Sequence, residues 1–320
     1  MTAQPLVSVI LPTHNRATML GRAIRSVLAQ TYRNLELLVV DDNSTDDTES
    51  VVRRIQDPRL RYMRLSENRR AAAARNIGIR EARGDLIAFQ DDDDVWLIEK
   101  LARQVPALMD AGPEVGLNLC GKIRLFPDRA EYVGGSKAFA RLDFERGGPL
   151  DGFMLISTPG WLVRREALLQ AGLFDEDMRA WDDWELALRL TRICRFNHID
   201  YPLYLQNRIE GSSMWKNERA FSNDLQIILH KNPGLWQQHR QVLSRNYYYM
   251  GRSELTYHDS SRGRRWLCQA LRYQPWNFKA AVMLLVSLGG APAARRLLQH
   301  GRSLKMRLAM VIAPLRRLVT

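Results

Sequence analysis

The chain has few cysteines and no pattern among them. Its 320 residues include three, Cys120, Cys194 and Cys268, which lie too far apart for the paired spacing of a structural zinc site. Three scattered cysteines also do not make the dense framework of a small disulfide-stabilised secreted domain. The cysteine content excludes both classes and is typical of a protein from a reducing compartment.

Long apolar runs are missing as well. Residues 1–6 lack the basic and apolar regions of a signal peptide. The longest apolar run near the end of the chain, residues 308–314, is too short to cross a bilayer. From the sequence we therefore expect a cytoplasmic protein.

The motifs of three common nucleotide- or metal-binding folds are absent. After its first strand a dinucleotide-binding domain requires Gly-x-Gly-x-x-Gly, but residues 11–16 are Leu-Pro-Thr-His-Asn-Arg. No Gly-x-x-x-x-Gly-Lys-Ser/Thr loop occurs, which excludes a P-loop ATPase. Asp91-x-Asp93 lacks the glycine and the distal glutamate of an EF-hand.

Acidic residues are absent after Asp259. That segment holds twelve Lys and Arg, so residues 1–259 contain 35 basic and 35 acidic side chains, and the net charge of +12 belongs to the C-terminal segment. A neutral main domain argues against nucleic-acid binding there. We expect no nucleic-acid partner.

Apolar runs and helical patterns alternate at the start of the chain. The expected strands cover residues 6–11, ended by Pro12, then 35–40, 60–65 and 84–90, with helices between them. Further along we expect a helix over 96–109, a strand over 115–125, an irregular loop over 126–152, helices over 165–170 and 181–193, and short strands within 196–205. From about residue 213 the pattern is helical only.

This order of elements predicts an α/β protein. Strands alternating with helices imply right-handed βαβ units, and thus a mixed, mainly parallel sheet flanked by helices. The helical end of the chain forms an all-helical C-terminal extension. We expect one domain over residues 1–215 and a helical, basic region over residues 216–320.

Four consecutive carboxylates, Asp91 to Asp94, follow a buried strand. Like charges this close repel each other unless a cation or hydrogen-bond donors lie among them. The carboxyl end of a parallel strand is also where an open α/β sheet binds its ligand. Asp91-x-Asp93 supplies the oxygen ligands that Mg²⁺ or Mn²⁺ prefers. Asp92 is expected to be an outward spacer and Asp94 to support the site; the alternative is a solvated acidic turn.

Asp182 and Asp183 lie between two tryptophans, Trp181 and Trp184. A partly apolar pocket raises the pKa of a carboxyl group toward the range of a general base. The alternative is that these carboxylates stabilise a helix N-terminus and have no further role.

Taken together, the motifs resemble the family-two glycosyltransferases, which have the GT-A fold. The resemblance covers about residues 5–215, and its specificity lies in the order and spacing of the segments. They are residues 7–16, 40–46, 74–79, 84–94 and 172–176, followed by Asp182 and Asp183. The fold implied is GT-A.

The resemblance implies a metal-assisted, inverting transfer of a sugar from a nucleotide-diphospho-sugar, expected to be a UDP-sugar. The acceptor implied is a hydroxyl of a glycan or of a lipid-linked acceptor in cell-surface polysaccharide biosynthesis. Asp183 matches the family's general base, and Asp182 takes a position that is often Glu. Asp91 and Asp93 match the metal-binding Asp-x-Asp, with Asp94 beside them.

Donor binding is assigned from the resemblance and, for two arginines, from their charge. The resemblance implies that Pro12, Thr13 and Asn15 line the nucleotide pocket and that Asp42 contacts the base. For the arginines the alternative is a solvated helix face. The donor-binding residues are Pro12, Thr13, Asn15, Asp42, Arg70, Arg75 and Asp92.

Two residues depart from the family pattern. Arg70 stands where the family usually has glycine, and Ile209 stands where many members have a metal-ligating histidine. These departures suggest an alternative function of a different class, that of a catalytically degenerate sugar-nucleotide-binding or scaffold protein.

The basic C-terminal region adds a second expectation. Residues 246–275 resemble one helical hairpin of tetratricopeptide type, and residues 294–318 are basic and amphipathic. A basic amphipathic helix binds an anionic membrane surface. We expect peripheral association with the inner face of the membrane; the alternative is a helical domain with a solvated basic face.

Overall fold

The computed structural model describes residues 4–134, 157–208, 218–231, 240–257 and 259–288. The chain divides into two compact units, Met1–Met214 and Trp215–Thr320. The first unit is an α/β structure and the second is helical. Among the described residues, no helix is both long and apolar enough to span a bilayer.

The first unit has one mixed sheet. Its described strands are β1 (Val7–Thr13), β2 (Leu35–Asp41), β3 (Leu60–Arg64), β4 (Leu86–Phe89), β5 (Val95–Trp96), β6 (Val115–Leu125), β7 (Ala130–Val133), β8 (Trp161–Arg164) and β9 (Arg195–Asn207). Their order is β3-β2-β1-β4-β8-β6-β9-β5, and β7 pairs with β6 outside this order. β5, β7 and β8 run opposite to the other strands, so the sheet is mixed and mainly parallel, as predicted.

Helices connect and cover these strands. They are α1 (Ala17–Leu28), α2 (Thr48–Arg53), α3 (Arg70–Glu81), α4 (Lys100–Met109), α5 (Arg165–Ala171) and α6 (Asp182–Leu190). Leu20, Ile24 and Val27 lie on one face of α1 at helical spacing and are buried against the sheet. The predicted fold class, a GT-A-type α/β sheet with a helical extension, is confirmed.

The sheet places the ends of three parallel strands at one edge. β1 and β2 are buried along their whole length, and Thr13 at the end of β1 is paired with Asp41 at the end of β2. β4 pairs with β1 up to Phe89, and the four aspartates follow. The polar residues after these strands therefore lie next to one another.

Three predicted boundaries are wrong. β1 does not end at Pro12, which pairs with Val40; the ladder with β4 stops at Ile10, so β1 has one open side where a proline is tolerated. The helix expected from Trp96 begins at Lys100, because Val95 and Trp96 pair with β9. The loop expected over residues 126–152 contains β7, and residues 135–156 lie outside the described part.

The second unit is described by four helices. These are α7 (Glu218–Lys231), α8 (Arg240–Tyr257), α9 (Ser260–Tyr273) and α10 (Phe278–Leu288). α8 and α9 approach closely at Gly251 and Gly263: a Cβ at Gly251 would lie 3.0 Å from the Gly263 carbonyl oxygen. Leu255, Leu267 and Met283 form the small core. Residues 294–318 lie outside the described residues.

Candidate active site

Asp42, after β2, holds the start of α3. Its two carboxylate oxygens accept the backbone N–H groups of Arg69 and Arg70, at 2.6 and 2.7 Å. The side chain is buried. Asp42 was predicted to contact the base of the nucleotide; in the structure both of its carboxylate oxygens are engaged by the backbone.

The loop after β1 is tied to the loop after β2. The backbone N–H of Asn15 donates to Ser44 Oγ at 2.9 Å, and Asn15 Oδ1 accepts the N–H of Thr45 at 2.7 Å. Asn15 has a φ of 53°, a conformation that asparagine tolerates. Pro12 and Thr13 are buried in β1 just before this loop, so three predicted donor-binding residues lie beside the strand edge.

Asp92 is not an outward spacer. The Thr13 hydroxyl donates to Asp92 Oδ2 at 2.9 Å, which turns this side chain toward β1. Burial, and then the charge of Asp93, raise the pKa of Asp92 to about 7. The acidic run follows β4 as a turn, in which the side chains do not alternate as they do in a strand.

Asp93 and Asp94 complete the acidic run. Arg16 Nη1 lies 3.7 Å from Asp93 Oδ2, and burial followed by the charge of Asp91 raises the pKa of Asp93 to about 6. The buried Asp94 accepts the N–H of Asn207 on Oδ1 at 2.9 Å. Its Oδ2 is buried without a hydrogen-bond partner among the described residues, and burial holds the pKa of Asp94 well above its usual range.

Arg75 joins the two acidic motifs. Its Nη1 donates to Asp182 Oδ2 at 2.8 Å and its Nη2 to Asp91 Oδ1 at 3.0 Å. The residue is 7% exposed, and its guanidinium lies 5.5 Å from the centre of the Phe174 ring. A buried guanidinium with two carboxylate partners is strongly held in place. Arg75 therefore fixes the predicted acids of β4 and α6 in one site.

Asp183 opens helix α6 beside Asp182. Its Oδ1 accepts the N–H of Trp184 at 2.7 Å. Burial, and then the charge of Asp182, raise the pKa of Asp183 to about 7. The rings of Trp181 and Trp184 lie 5.3 Å apart. The structure thus has a half-buried carboxyl group next to these tryptophans, with its pKa in the range of a general base.

Of the two residues that depart from the family pattern, the structure describes Arg70 but not Ile209. Arg70 is exposed, and its backbone φ is 71°, the left-handed region that favours glycine. The backbone therefore keeps the conformation of the family's usual glycine, while the residue carries a side chain. Ile209 lies outside the described residues.

Sequence reasoning did not predict the structural role of Asn76 and missed Lys122. The side-chain amide of Asn76 donates to the Phe174 carbonyl and accepts the Phe174 N–H, at 2.9 Å each. Asn76 thereby fixes the loop before α6. Lys122 on β6 is buried, and its charge interacts with those of Asp94 and Asp183. A lysine inside the buried strand over residues 115–125 was the available signal for it.

The acidic cluster fits a divalent cation. Asp94 Oδ2 is a buried acceptor without a donor, and the pKa values of Asp93 and Asp94 are raised, as expected where a cation is needed. Within the described segments no three His, Cys, Asp or Glu side chains converge to hold a metal alone. The remaining ligands would be phosphate oxygens and water, the usual arrangement for Mg²⁺ and similar ions.

Comparison with protein families and curated proteins gives a consistent result. The model of "Glycosyl transferase family 2" matches residues 8–168. The Escherichia coli UDP-Glc:alpha-D-GlcNAc-diphosphoundecaprenol beta-1,3-glucosyltransferase WfgD is 41% identical over 104 residues, covering 32% of this chain and 41% of that protein. The chain thus matches less than half the length of this relative. The putative colanic acid biosynthesis glycosyl transferase WcaA of Escherichia coli K12 is 30% identical over 244 residues, 74% of this chain and 76% of WcaA.

Two solved structures share the fold. The Staphylococcus aureus TarS 1–349 complex with UDP-GlcNAc has a TM-score of 0.66 at 17% identity and covers 92% of each chain. The mannosyltransferase PcManGT from Pyrobaculum calidifontis, in complex with GDP-Man and Mn²⁺, has a TM-score of 0.57 at 23% identity, covering 91% of this chain and 81% of that one. At these identities the similarity shows the fold alone.

Proposed function

The chain belongs to glycosyl transferase family 2, and from this premise we propose that it is an inverting glycosyltransferase. It transfers a sugar from a nucleotide-diphospho-sugar to a hydroxyl group of a glycan or a lipid-linked acceptor. The observation that carries the proposal is the link made by the buried Arg75, which brings Asp91 and the Asp182–Asp183 pair into one site.

Asp183 is the general base of the proposed reaction. A base works best when its pKa lies near the working pH, and the pKa of Asp183 is raised to about 7 by burial and by Asp182. The acceptor hydroxyl gives its proton to Asp183 while its oxygen forms a bond to the anomeric carbon. The bond from that carbon to the diphosphate oxygen breaks, and the electron pair leaves with the nucleoside diphosphate. One displacement of this kind inverts the anomeric centre and requires no protein nucleophile.

Asp182 and Arg75 keep the base in position. Asp182 is held by the buried guanidinium at 2.8 Å, so the first turn of α6 is anchored to α3. The general base thereby keeps a fixed distance from the residues after β4. Asp182 is thus a positioning residue in this proposal.

The residues that would hold a divalent cation are Asp93 and Asp94, with Asp91 as a further predicted ligand. When bound, Mn²⁺ or Mg²⁺ would supply positive charge to the diphosphate leaving group. Asp91 already accepts from Arg75, and Asp92 accepts from Thr13. Asp94 Oδ2 is a buried oxygen without a hydrogen-bond partner among the described residues.

The names of the relatives support a UDP-sugar donor and a lipid-linked acceptor. WfgD is named for UDP-Glc and for GlcNAc-diphosphoundecaprenol, and WcaA for colanic acid biosynthesis. We propose the same classes of donor and acceptor here, in cell-surface polysaccharide biosynthesis. A lipid-linked acceptor would place the enzyme peripherally on the inner face of the membrane.

Asp183→Asn tests this function. The amide keeps the size of the side chain but is not a base, so we expect turnover of a UDP-sugar with Mn²⁺ to fall by about 10² to 10⁴-fold, with UDP affinity unchanged. Asp177→Asn, the same change at an exposed aspartate nearby, is the matched control and should be fully active. Nucleotide binding without turnover of any donor by the wild-type protein would instead support the degenerate binding protein.

A further inference from the structure

Arg189 lies near the end of helix α6, outside the acidic site. Its guanidinium forms an ion pair with the buried Glu185 one turn earlier, where Nη2 donates to Oε2 at 2.6 Å. The same guanidinium donates from Nη1 to the Ala171 carbonyl, and from Nη2 to the Leu173 carbonyl at 2.6 Å. Arg189 therefore ties the connection between α5 and α6, residues 172–181, to the far end of α6.

The backbone that Arg189 binds is strained. Gly172 and Leu173 have φ values of 82° and 64°, so two consecutive residues adopt the left-handed conformation. Glycine adopts it without a clash, but the branched side chain of Leu173 does not, and this side chain is buried. A strained backbone persists only where its surroundings determine it, and such residues are concentrated at functional sites. The contacts on either side of Leu173 therefore hold this conformation in place.

Asn76 of α3 holds the residue that follows Leu173. Its side-chain amide donates to the Phe174 carbonyl and accepts the Phe174 N–H, at 2.9 Å each. The same amide nitrogen donates to Glu176 Oε1 at 3.0 Å, and Asn76 is buried. The connection is thus bound by α6 at the Leu173 carbonyl and by α3 at the next residue. It joins α3 to α6.

This connection is a second attachment between the two helices. The first is the ion pair of Arg75 with Asp182, at the first residue of α6. Arg189 lies seven positions later in the same helix, which corresponds to about 10 Å along its axis. A helix that is attached at one end only can still tilt, whereas a second attachment two turns away also fixes its direction. Asp183 directly follows the first attachment, so the direction of its carboxylate depends on both.

We propose that Arg189 and Asn76 are positioning residues for the general base, which hold α6 in the direction that aims Asp183 at the acceptor hydroxyl. The inference rests on the proposed function, because that function gives Asp183 its role. Neither residue touches the reacting atoms, and both act through residues 172–181. A displacement of about 1 Å at a reacting group lowers the rate about a hundredfold, so a small change in the direction of α6 has a large effect.

Arg189→Met and Asn76→Ala in the full-length protein test the proposal. Initial rates with a UDP-sugar that the wild type uses give kcat and the KM of donor and acceptor, and calorimetry gives the affinity for UDP. We expect kcat to fall about 10- to 100-fold in each variant. The KM of the donor and the UDP affinity should change by less than about twofold, because the residues that would bind the donor are retained.

The double variant tests whether the two residues act through one connection. If they do, Asn76→Ala combined with Arg189→Met should lose no more kcat than the more affected single variant. Independent effects would multiply instead. Arg189→Lys keeps the charge but not the planar fork of the guanidinium, so we expect its kcat to lie between those of Arg189→Met and the wild type. This variant also serves if Arg189→Met does not fold.

Arg164→Met is the matched control. The guanidinium of Arg164 likewise binds backbone carbonyls, those of Val115 at 2.9 Å and Gly112 at 3.2 Å. It lies at the other edge of the sheet, because Arg164 pairs with Leu86, the first residue of β4, whereas the acidic run follows the last. Arg164→Met should lower the melting temperature as Arg189→Met does, but its kcat should equal that of the wild type at a temperature where every variant is folded.

Three results would overturn the inference while the wild type turns over its donor, and each leaves the proposed function standing. They are an unchanged kcat in both single variants, an equal loss of kcat in Arg164→Met and Arg189→Met, and effects that multiply in the double variant. Absence of turnover by the wild type with every UDP-sugar would instead remove the proposed function, and the inference with it.

Discussion

Backbone strain is concentrated around the candidate site. In the described part of the chain, the non-glycine residues with positive φ are Asn15, Asn43, Arg70 and Leu173. The first three lie in the loops after β1 and β2 and at the start of α3. Such conformations persist only where the surroundings determine them. At Arg70 the determining contact is Asp42, whose Oδ2 accepts the Arg70 N–H at 2.7 Å.

Arg70→Gly is expected to be more stable than Arg70→Ala. Both changes remove the exposed side chain. Glycine has no Cβ and adopts a φ of 71° without a steric clash, whereas the Cβ of alanine clashes with the backbone in this conformation. The left-handed conformation costs a non-glycine residue about 1–2 kcal/mol, and this difference should appear in the free energy of unfolding measured with urea.

The neighbouring residue is the control for that measurement. Arg69 has a φ of −114°, where alanine is not strained, so Arg69→Gly should be no more stable than Arg69→Ala. The same order of stability at both positions would show that the backbone of Arg70 is not strained.

At the scale of single elements, helix α4 carries an unusual buried residue at its first position. Lys100 is fully buried and donates to Gln104 Oε1 at 2.6 Å. Its ammonium lies over the Trp96 ring. Burial lowers the pKa of Lys100 to about 8. The position where α4 packs on the sheet therefore depends on a lysine with neutral partners.

Lys100→Met should change how stability depends on pH. In the unfolded chain this lysine keeps its proton up to the ordinary value of 10.5, whereas in the folded protein its pKa is about 8. Between these values the unfolded state binds more protons, so Lys100 makes stability rise with pH. Across that window the unfolding free energy of the wild type should rise by about 3 kcal/mol relative to Lys100→Met.

The measurement is urea unfolding at several pH values from 7 to 10.5. Lys279→Met, a change at an exposed lysine, should follow the wild type throughout. A constant difference between Lys100→Met and the wild type would show that Lys100 titrates normally in the folded protein.

The sequence was sufficient for elements that local pattern determines. β2 ends in Asp41, β4 is an apolar run that is followed by the aspartates after Gln90, and α5 ends before Gly172, whose φ is 82°. β5 was missed because two residues form a strand only by pairing with β9, over a hundred positions away. β9 was underestimated because its pairing with β6 contains irregularities.

The same distinction applies to the site. The acids were found from their positions after strands and from the family resemblance. The direction of Asp92 follows from its contact with Thr13, 79 residues earlier in the chain, and the place of Lys122 depends on the register between β6 and β9. Neither is determined by the residues nearby in sequence.

At the scale of the whole molecule, the net positive charge is confined to the C-terminal segment. Residues 1–259 hold equal numbers of acidic and basic side chains, whereas the segment after Asp259 has twelve basic residues and no acidic one. Within that segment, α10 and the residues just before it expose Trp276, Phe278, Leu285 and Leu288, with the exposed Lys279 among them. Exposed apolar side chains on a basic unit are the composition expected of a membrane-surface contact.

We expect the full-length protein to bind anionic vesicles at low salt, with Trp276 and Leu285 inserted at the interface. They are 90% and 67% exposed, and burying such side chains in lipid contributes about 1.5–3 kcal/mol each. Trp276→Ser combined with Leu285→Ser should therefore weaken binding about tenfold or more, measured by co-sedimentation. Leu169→Ser, at an exposed leucine of the first unit, should bind like the wild type.

Because the basic charge acts over about 10 Å at 0.1 M salt, binding should decrease as salt is added and be weak on neutral vesicles. Equal binding to neutral and anionic vesicles would contradict the electrostatic part of this expectation, and an unaffected double variant would contradict insertion of α10.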